Sequence, residues 1–362
     1  MVMGKRLWTA CADGNIEEAI RLLQSKLNIN WRDFQSLRTA LFIACDKGHI
    51  EIVKLLLNDK RIDINKEDKY GETPLYISCE KGHIEIVKLL LNDERVDINK
   101  EDKISYAPFY IACWKGHLEV VKLFLNDKRM VDINKAANAG LTPFYVACEN
   151  GHIDIVKLLL NDHRRVDINK AIDYEGWIPL YIACSSGYIE IVKLLLNDNR
   201  IDVNKRDTFG ITPFYMACQN GHIKIVKLLL NDQRVDINKT SNRDKTPFCA
   251  ACHEGHIEIV KLLLNDERVD INKANDGGWA PFYVACYQGH NEIVKYLLAC
   301  GREIIIKAKI IMRKGTNGKT ALDIARERGK SKKIVELIES FERDQNETRT
   351  KLRIELGFAG KF

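Results

Sequence analysis

A period of about 34 residues runs through almost the whole chain and limits it to folds built from stacked copies of one unit. The most regular segment of each copy begins at one of these positions: Ala40, Pro74, Pro108, Pro143, Pro179, Pro213, Pro247, Pro281 and Ala321. Successive copies are 34, 34, 35, 36, 34, 34, 34 and 40 residues apart. A fixed period of about 20–50 residues is typical of repeat proteins. The 362 residues are therefore expected to form one repeat array rather than unrelated globular domains.

The copy that spans residues 71–99 shows which structure each unit predicts. Thr73 is a good N-cap, and Pro74 suits the first helical position because its missing N–H has no partner there in any case. A short first helix is therefore predicted to begin at Pro74. Gly82 is expected to end this helix, since glycine adopts the left-handed conformation at low cost.

The second half of the unit is predicted to form an amphipathic helix, with an apolar face at Ile84, Val87, Leu90 and Leu91. Seven copies place an acidic residue three positions before a lysine: Glu51, Glu85, Glu119, Asp154, Glu190, Glu258 and Glu292. We interpret these as ion pairs on the helix surface rather than as catalytic carboxylates. An Asn-Asp-x-Arg segment then turns the chain into a polar finger. One helix pair cannot bury its apolar face alone, so the copies must stack.

This unit resembles the ankyrin repeat, which has Thr-Pro-Leu-His in its first helix, Gly-His before its second helix, and a leucine-rich second helix. The resemblance covers ten copies, over about residues 5–340. An aromatic residue replaces the motif histidine in most copies: Phe42, Tyr76, Tyr110, Tyr145, Tyr181, Tyr215 and Tyr283. The resemblance implies an all-α repeat solenoid of ankyrin-type helix-turn-helix units with β-hairpin-like fingers.

The ends of the array differ from its middle. We interpret residues 1–36 as an N-terminal capping repeat, 37–300 as tandem repeats, 301–340 as an insertion and a basic C-terminal capping repeat, and 341–362 as a tail. In the last copy Arg326 takes the place of a cysteine, as a cap that faces water requires. The sequence leaves open how the apolar insertion at 304–312 is placed. It also leaves open whether the tail docks on the last repeat through its spaced apolar residues, Leu352, Ile354, Leu356 and Phe358.

The formal net charge of +6 is concentrated near one end of the chain. Residues 302–333 carry eleven Lys or Arg and three acids, a net charge of +8, which leaves −2 for the rest. A solvated cap explains this charge, and binding of an acidic partner, nucleic acid or an anionic membrane is the alternative. No apolar run is long enough to cross a bilayer, and the start does not resemble a signal peptide, so we expect a cytoplasmic protein.

Cysteine and histidine recur once per repeat, which argues against a catalytic or disulfide role. Nine of the 11 cysteines occupy one equivalent position. Stacked copies lie about 8–10 Å apart, beyond the roughly 7 Å Cα limit for a disulfide, so these cysteines are expected to be reduced and buried. The seven Gly-His pairs would form a ladder rather than a convergent site, so we interpret these histidines as structural.

The eighth copy alone brings Cys249, Cys252, His253 and His256 to a spacing that could suit zinc. Cys252 and His256 are ordinary repeat positions, however, and the helix direction is expected to point Cys252 into the core and His253 outward. We therefore predict no metal, and keep a thiol- or zinc-dependent activity at Cys249 as a minor alternative. No phosphate loop, nucleophile elbow or kinase signature occurs, so no enzyme activity and no cofactor are predicted.

The resemblance implies that a partner binds the concave surface formed by the fingers and the exposed side of the first helices. The fold gives little reason for large aromatic residues at these positions, and Trp and Tyr supply much of the binding energy at protein interfaces. The predicted partner-binding residues are Tyr70, Tyr106, Trp114, Tyr174, Trp177, Phe209, Trp279 and Tyr287. A role in covering a neighbouring backbone stays open for each of them. The sequence thus predicts a monomeric, non-catalytic scaffold, adaptor or inhibitor that binds another protein.

Overall fold

The computed structural model describes residues 2–129, 131–306, 318–329 and 331–357. The chain divides into two units, Met1–Asp173 and Tyr174–Phe362. Each unit is a stack of helix pairs, and the described residues contain no β-strand. The predicted all-α repeat solenoid is confirmed, with ten helix pairs and one additional helix among the described residues.

The first unit holds repeats 1 to 5, in which odd-numbered helices are the first and even-numbered helices the second of each pair. Their bounds are α1 Val2–Asp13, α2 Ile16–Leu23, α3 Ala40–Lys47, α4 Ile50–Leu57, α5 Pro74–Lys81, α6 Ile84–Leu91, α7 Pro108–Lys115, α8 Leu118–Leu125, α9 Pro143–Glu149 and α10 Ile153–Leu160. A short 3₁₀ turn, Asn138–Gly140, precedes α9.

The second unit holds repeats 6 to 10 and the additional helix α21. Their bounds are α11 Pro179–Ser186, α12 Ile189–Leu196, α13 Pro213–Gln219, α14 Ile223–Asn231, α15 Pro247–Glu254, α16 Ile257–Leu264, α17 Pro281–Gln288, α18 Asn291–Ala299, α19 Ala321–Arg328, α20 Lys332–Arg343 and α21 Gln345–Glu355. Within each unit, first helices pack against first helices of the next repeat, and the second helices also contact each other in succession.

The predicted boundaries of the first helix are confirmed. The Thr73 side chain accepts a hydrogen bond from the Tyr76 backbone N–H at 3.1 Å, and Pro74 occupies the first turn of α5. Gly82 ends this helix with φ +71°. Local capping chemistry therefore fixes both ends of the helix.

Small residues in the first helices allow these helices to approach each other. Ala112 and Cys113 in α7 are fully buried, and the same Ala-Cys pair recurs in most repeats. All 11 cysteines are buried and unpaired. Burial raises the pKa of the Cys45 thiol to about 12, so this thiol is neutral at physiological pH.

The apolar face predicted for the second helix is partly wrong. In α6 the buried residues are Ile86, Val87 and Leu90, whereas Ile84 and Leu91 are only half-buried. At about 100° per residue, the last two both lie beyond Val87, on one side of the face that the first three form. The predicted ion pairs are present in all seven copies, including Lys88 Nζ to Glu85 Oε1 at 2.6 Å.

The Gly-His pairs form a ladder of hydrogen bonds between repeats, as the structural interpretation predicted. The His83 ring donates through Nε2 to the Asp46 carbonyl of the preceding repeat at 3.3 Å. The same contact recurs at His49, His117, His152, His222, His256 and His290, at 2.8–3.3 Å. Gly48 is required beside His83, because a Cβ there would lie 2.9 Å from the ring.

The sequence predicts the Asp-x-Arg connection only as a turn. In the structure, this connection forms a second ladder of hydrogen bonds between repeats. Asp93 holds the Arg95 guanidinium, whose Nη2 then donates to the Leu57 carbonyl at the end of the preceding second helix, at 2.9 Å. We call this contact the arginine staple. It satisfies a carbonyl that the helix end leaves without a partner. The same staple is formed by Arg61, Arg129, Arg164, Arg234 and Arg268.

The predicted insertion begins later than expected. The Asn272 side chain donates to the Glu303 carbonyl at 2.7 Å and accepts from the Ile305 N–H at 3.1 Å. Asn238 makes the same two bonds one repeat earlier. The chain up to residue 306 is therefore a regular connection after α18, with Ile304 and Ile306 buried, and residues 307–312 lie outside the described residues.

The first part of the tail is helical and docks on the last repeats. Helix α21 packs against α18 and α20, and Leu352 is 3% exposed. Arg349 and Arg353 donate to the carbonyls of Leu298 and Ala299 at 3.2 and 3.0 Å, so they replace the arginine staple at the end of α18. Ile354 is exposed, Leu356 is half-buried, and Phe358 lies outside the described residues.

Candidate functional site

The fingers are tight turns that an acidic or amide side chain closes. The Asp68 carboxylate accepts from the N–H groups of Tyr70 and Glu72 at 2.7 and 3.2 Å, and the Asp68 N–H donates to the Glu72 carbonyl. Asp102, Asp207 and Asn275 close later fingers in the same way. The Lys103 N–H donates to the Tyr70 carbonyl at 2.9 Å, which ties one finger to the next. The finger tips therefore have fixed positions.

In each unit, we define the finger face as the predicted aromatic residues of that unit together with the finger and first-helix residues that they contact. Three of the eight stand at finger tips with most of the ring in solvent. The exposed fractions are 54% for Tyr70 in the first unit, and 78% for Tyr174 and 65% for Phe209 in the second. These three side chains add little to the core of either unit.

In the first unit, two predicted residues belong to an aromatic cluster. The Tyr106 ring stacks on Tyr110 with centroids 4.6 Å apart, and Trp114 meets Tyr106 edge-on at 5.7 Å. Tyr110 is the residue that replaces the motif histidine, and it is 3% exposed. Tyr106 and Trp114 are half-buried. They therefore stabilise the first helix and still present part of their surface to solvent.

The second unit repeats this arrangement. Trp177 stacks on Tyr181 at 5.4 Å, and Trp279 contacts Tyr283 at 5.3 Å. Tyr287 lies 4.9 Å from Trp279, and the Arg328 guanidinium covers the Tyr287 ring at 3.6 Å. The residue two positions before the first helix thus packs on the aromatic that replaces the motif histidine. The sequence predicted these residues but carried no signal for the contacts between their rings.

The finger face of the first unit also holds a charged cluster around Arg38. Its guanidinium lies 3.2 Å from Asp68, 3.6 Å from Asp46 and 3.7 Å from Glu72. Burial raises the pKa of Glu72 to about 7, the neighbouring Asp68 carboxylate adds to this rise, and Arg38 opposes it. Lys81 lies 4.0 Å from Asp46 as a second cation, so this part of the face carries three carboxylates and two cations.

In the second unit, a groove of about 500 Å³ opens between the fingers and first helices of repeats 7 to 9. Cys249 lies in its floor, and Phe209 and Trp279 stand at its sides. Burial raises the pKa of Cys249 to about 11, and Lys245 opposes this rise. The Cys249 thiol is therefore neutral and unreactive at physiological pH.

Comparison with protein families decides the assignment. A profile of three consecutive ankyrin repeats matches residues 7–102, 61–137, 109–207, 199–275 and 267–349. The chain is an ankyrin repeat protein. A comparison with curated protein sequences returned no significant match. Ankyrin repeats generally mediate protein–protein interactions, and proteins built from them are typically non-catalytic binding modules.

The four residues considered for zinc have other contacts in this ankyrin repeat protein. Cys252 is fully buried, and His256 donates to the Gln219 carbonyl at 2.8 Å as part of the histidine ladder. His253 bonds to the Glu254 carboxylate and to the Gln288 side chain, each at 2.8 Å. Within the described ranges, no three His, Cys, Asp or Glu side chains are arranged to hold a metal ion.

The described basic residues of segment 302–333 are largely engaged within the chain. Arg302 donates to the Val269 carbonyl at 2.6 Å, Arg326 pairs with Glu339 at 2.6 Å, and Lys319 pairs with Glu327. Lys307, Lys309, Arg313, Lys314 and Lys330 lie outside the described residues. None of the described helices has the length and apolar character needed to cross a bilayer.

Proposed function

We propose that this ankyrin repeat protein is a non-catalytic scaffold, adaptor or inhibitor that binds a partner protein through its finger face. The observation that carries the proposal is the exposure of Tyr70, Tyr174 and Phe209, each more than half in solvent on a finger of fixed position. Large aromatic side chains of this kind gain binding energy when a partner desolvates them.

The residues that pack against other rings support the same proposal. Tyr106, Trp114, Trp177, Trp279 and Tyr287 are each held against a neighbouring ring, so little side-chain entropy is lost when a partner covers them. In this proposal they form the rigid base of the finger face in each unit, and the three exposed aromatics add contacts at the finger tips.

Cytoplasmic location and a monomeric state belong to the proposal. All 11 cysteines are unpaired, which suits a reducing compartment. A monomer would leave the finger face free for a different protein, and sedimentation equilibrium on the purified chain tests this point directly.

The central experiment replaces the three exposed aromatics together by Tyr70→Ser, Tyr174→Ser and Phe209→Ser. A matched control carries three alanine substitutions at the exposed second-helix acids Glu85, Glu119 and Glu190. Both immobilised variants are compared with the wild type for the cellular proteins that they retain, with circular dichroism as the check on folding. The aromatic triple variant should lose its partners and the acid variant should keep them. Full retention by the aromatic variant contradicts the proposal.

A further set of variants separates the finger face from the alternative in segment 302–333. Lys307, Lys309, Arg313 and Lys314 are replaced by glutamine, and retention is measured at low and high salt. Loss of the same partners here, with retention by the aromatic variant, would assign the function to the basic segment and to an acidic partner, nucleic acid or anionic membrane.

The substitutions Trp114→Ala, Trp177→Ala and Trp279→Ala then test the rigid base. Thermal unfolding is measured beside partner retention, because these side chains also support the fold.

A further inference from the structure

Repeat 8 lacks the aromatic side chain that fills the same position in neighbouring repeats. Tyr215 in repeat 7 and Tyr283 in repeat 9 are each 4% exposed, and the Tyr283 ring packs against Trp279 of its own finger. Repeat 8 has Cys249 there, whose side chain is much smaller. The groove of about 500 Å³ lies at this position, with Cys249 in its floor. The missing tyrosine ring therefore accounts for part of the groove, at its floor.

The groove has apolar walls and is open on the finger face. Trp279 forms one side, Phe209 the other, and Tyr215 and Val284 line its deeper part. Trp279 is held in place by an edge-to-face contact with Tyr283, with ring centroids 5.3 Å apart. A volume of this size with apolar walls is within the range of small-ligand and side-chain pockets.

The charged groups that line the groove are all basic. Arg243 and Lys245 contribute the two cations, and no carboxylate is among the lining residues. Within the part of the chain that the structure describes, neither of these two side chains forms a hydrogen bond or an ion pair. Lys245 is half-buried and Arg243 is exposed, and both side chains lack a counter-charge. A carboxylate placed beside the groove would supply that charge.

We propose that this groove binds an apolar side chain, aromatic or leucine-like, from an acidic segment of a partner protein, with flanking carboxylates paired to Arg243 and Lys245. The inference rests on the proposed function and names one partner chemistry for it. The apolar side chain takes the place of the missing tyrosine. A protein segment fits better than a small anion, because Phe209 at the rim is 65% exposed and the residues next to the inserted side chain would cover it.

The test uses the substitution Cys249→Tyr, which gives repeat 8 the side chain of its neighbours and fills the floor of the groove. Cys249→Ser is the matched control, because it preserves the volume. A third variant, Arg243→Glu with Lys245→Glu, reverses the charge and leaves the groove open. Thermal unfolding is measured for each, and the charge variant keeps the test decisive where Cys249→Tyr fails to fold.

A random peptide library displayed on phage is selected in parallel on the wild type and the three variants. The wild type and Cys249→Ser should enrich peptides with an aromatic residue or leucine flanked by Asp or Glu. Fluorescence anisotropy with one such labelled peptide should show affinity about tenfold or more weaker for Cys249→Tyr and for the charge variant. Replacing the apolar residue of the peptide by alanine should weaken binding to the wild type by a similar factor.

Enriched peptides that bind Cys249→Tyr as tightly as the wild type would overturn the groove inference, as would a basic consensus. Competition by phenylacetate alone, with no peptide enriched, would assign the groove to a small anion and overturn it as well. These outcomes leave the broader function standing as long as the Tyr70, Tyr174 and Phe209 triple variant still loses its captured partners. Retention of all partners by that triple variant would instead count against the proposed function itself.

Discussion

Removal of one arginine staple should weaken the interface between two repeats by a measurable amount. Arg129 is the best choice, because its guanidinium donates to the Leu91 carbonyl at 2.6 Å and to the Val96 carbonyl at 3.0 Å, while Asp127 holds it at 2.6 Å. The substitution Arg129→Ala removes these contacts and leaves two carbonyls without their donor.

The magnitude follows from the number and exposure of the bonds. A hydrogen bond to a charged group contributes about 1.5–3 kcal/mol when buried, but the Arg129 side chain is 30% exposed, so we take about 1 kcal/mol for each carbonyl bond. The ion pair with Asp127 adds about 0.5 kcal/mol. Arg129→Ala should therefore cost about 2–3 kcal/mol. Arg129→Lys should recover only about 1 kcal/mol, since an ammonium group cannot reproduce the planar fork.

The assay is urea unfolding followed by circular dichroism and by tryptophan fluorescence, to which Trp114 of the same repeat contributes. The Arg129 side chain holds the pKa of Asp127 below its usual value, so the stabilising pair is complete above about pH 4 and is lost as the pH falls through the lowered pKa. The difference between wild type and Arg129→Ala should shrink in acid. Equal unfolding midpoints at pH 7, or an Arg129→Lys variant as stable as the wild type, would refute the reasoning.

Three further predictions follow from single contacts. The Glu72 pKa of about 7 exceeds the usual 4.5, so ionisation of Glu72 destabilises the fold as the pH rises through this window. Glu72→Gln should therefore add about 2 kcal/mol of stability at pH 8 and nothing at pH 4, as measured by thermal unfolding at both pH values. Leu352→Ala should cost about 2–3 kcal/mol in urea unfolding and speed proteolysis of α21, whereas the exposed control Ile354→Ala should change stability by less than about 0.5 kcal/mol. His117→Ala should cost about 1 kcal/mol, because it removes the 3.0 Å hydrogen bond to the Glu80 carbonyl. His163→Ala is the neutral control, since the His163 side chain is 81% exposed. Equal unfolding midpoints for the two variants would contradict a stabilising role of the histidine ladder.

Features that depend on local chemistry could be predicted from the sequence. Thr73, Pro74 and Gly82 act within one turn of helix, so their types alone determine where α5 begins and ends. The arginine staple could not be predicted in this way, because its acceptor is a backbone carbonyl that carries no side-chain signal. The recurrence of Asp-x-Arg at the end of seven second helices was the available signal. Such a strict repeat of two charged residues is more than a turn requires.

The candidate site was located from the sequence, but its internal geometry was not. Tyr106 and Trp177 were identified by their size at variable positions, whereas their stacking depends on ring orientations that residue types do not determine. Cys249 was recognised as unusual and was interpreted through the chemistry of its thiol. The structure shows that its small volume matters more, since burial raises the pKa of the thiol to about 11. A residue that is smaller than its equivalents in the other repeats is therefore a signal in the sequence for a pocket.

The histidine and arginine ladders have a consequence for how such a chain can change length. Both end on backbone carbonyl oxygens, which for the third repeat are those of Asp46 and Leu57. Every residue type has this oxygen, whatever its side chain. A duplicated repeat would therefore find ready acceptors in whichever copy precedes it, without any matching substitution in that copy. The array could be lengthened or shortened by whole repeats through unequal recombination, while the finger residues diverge independently of the joints.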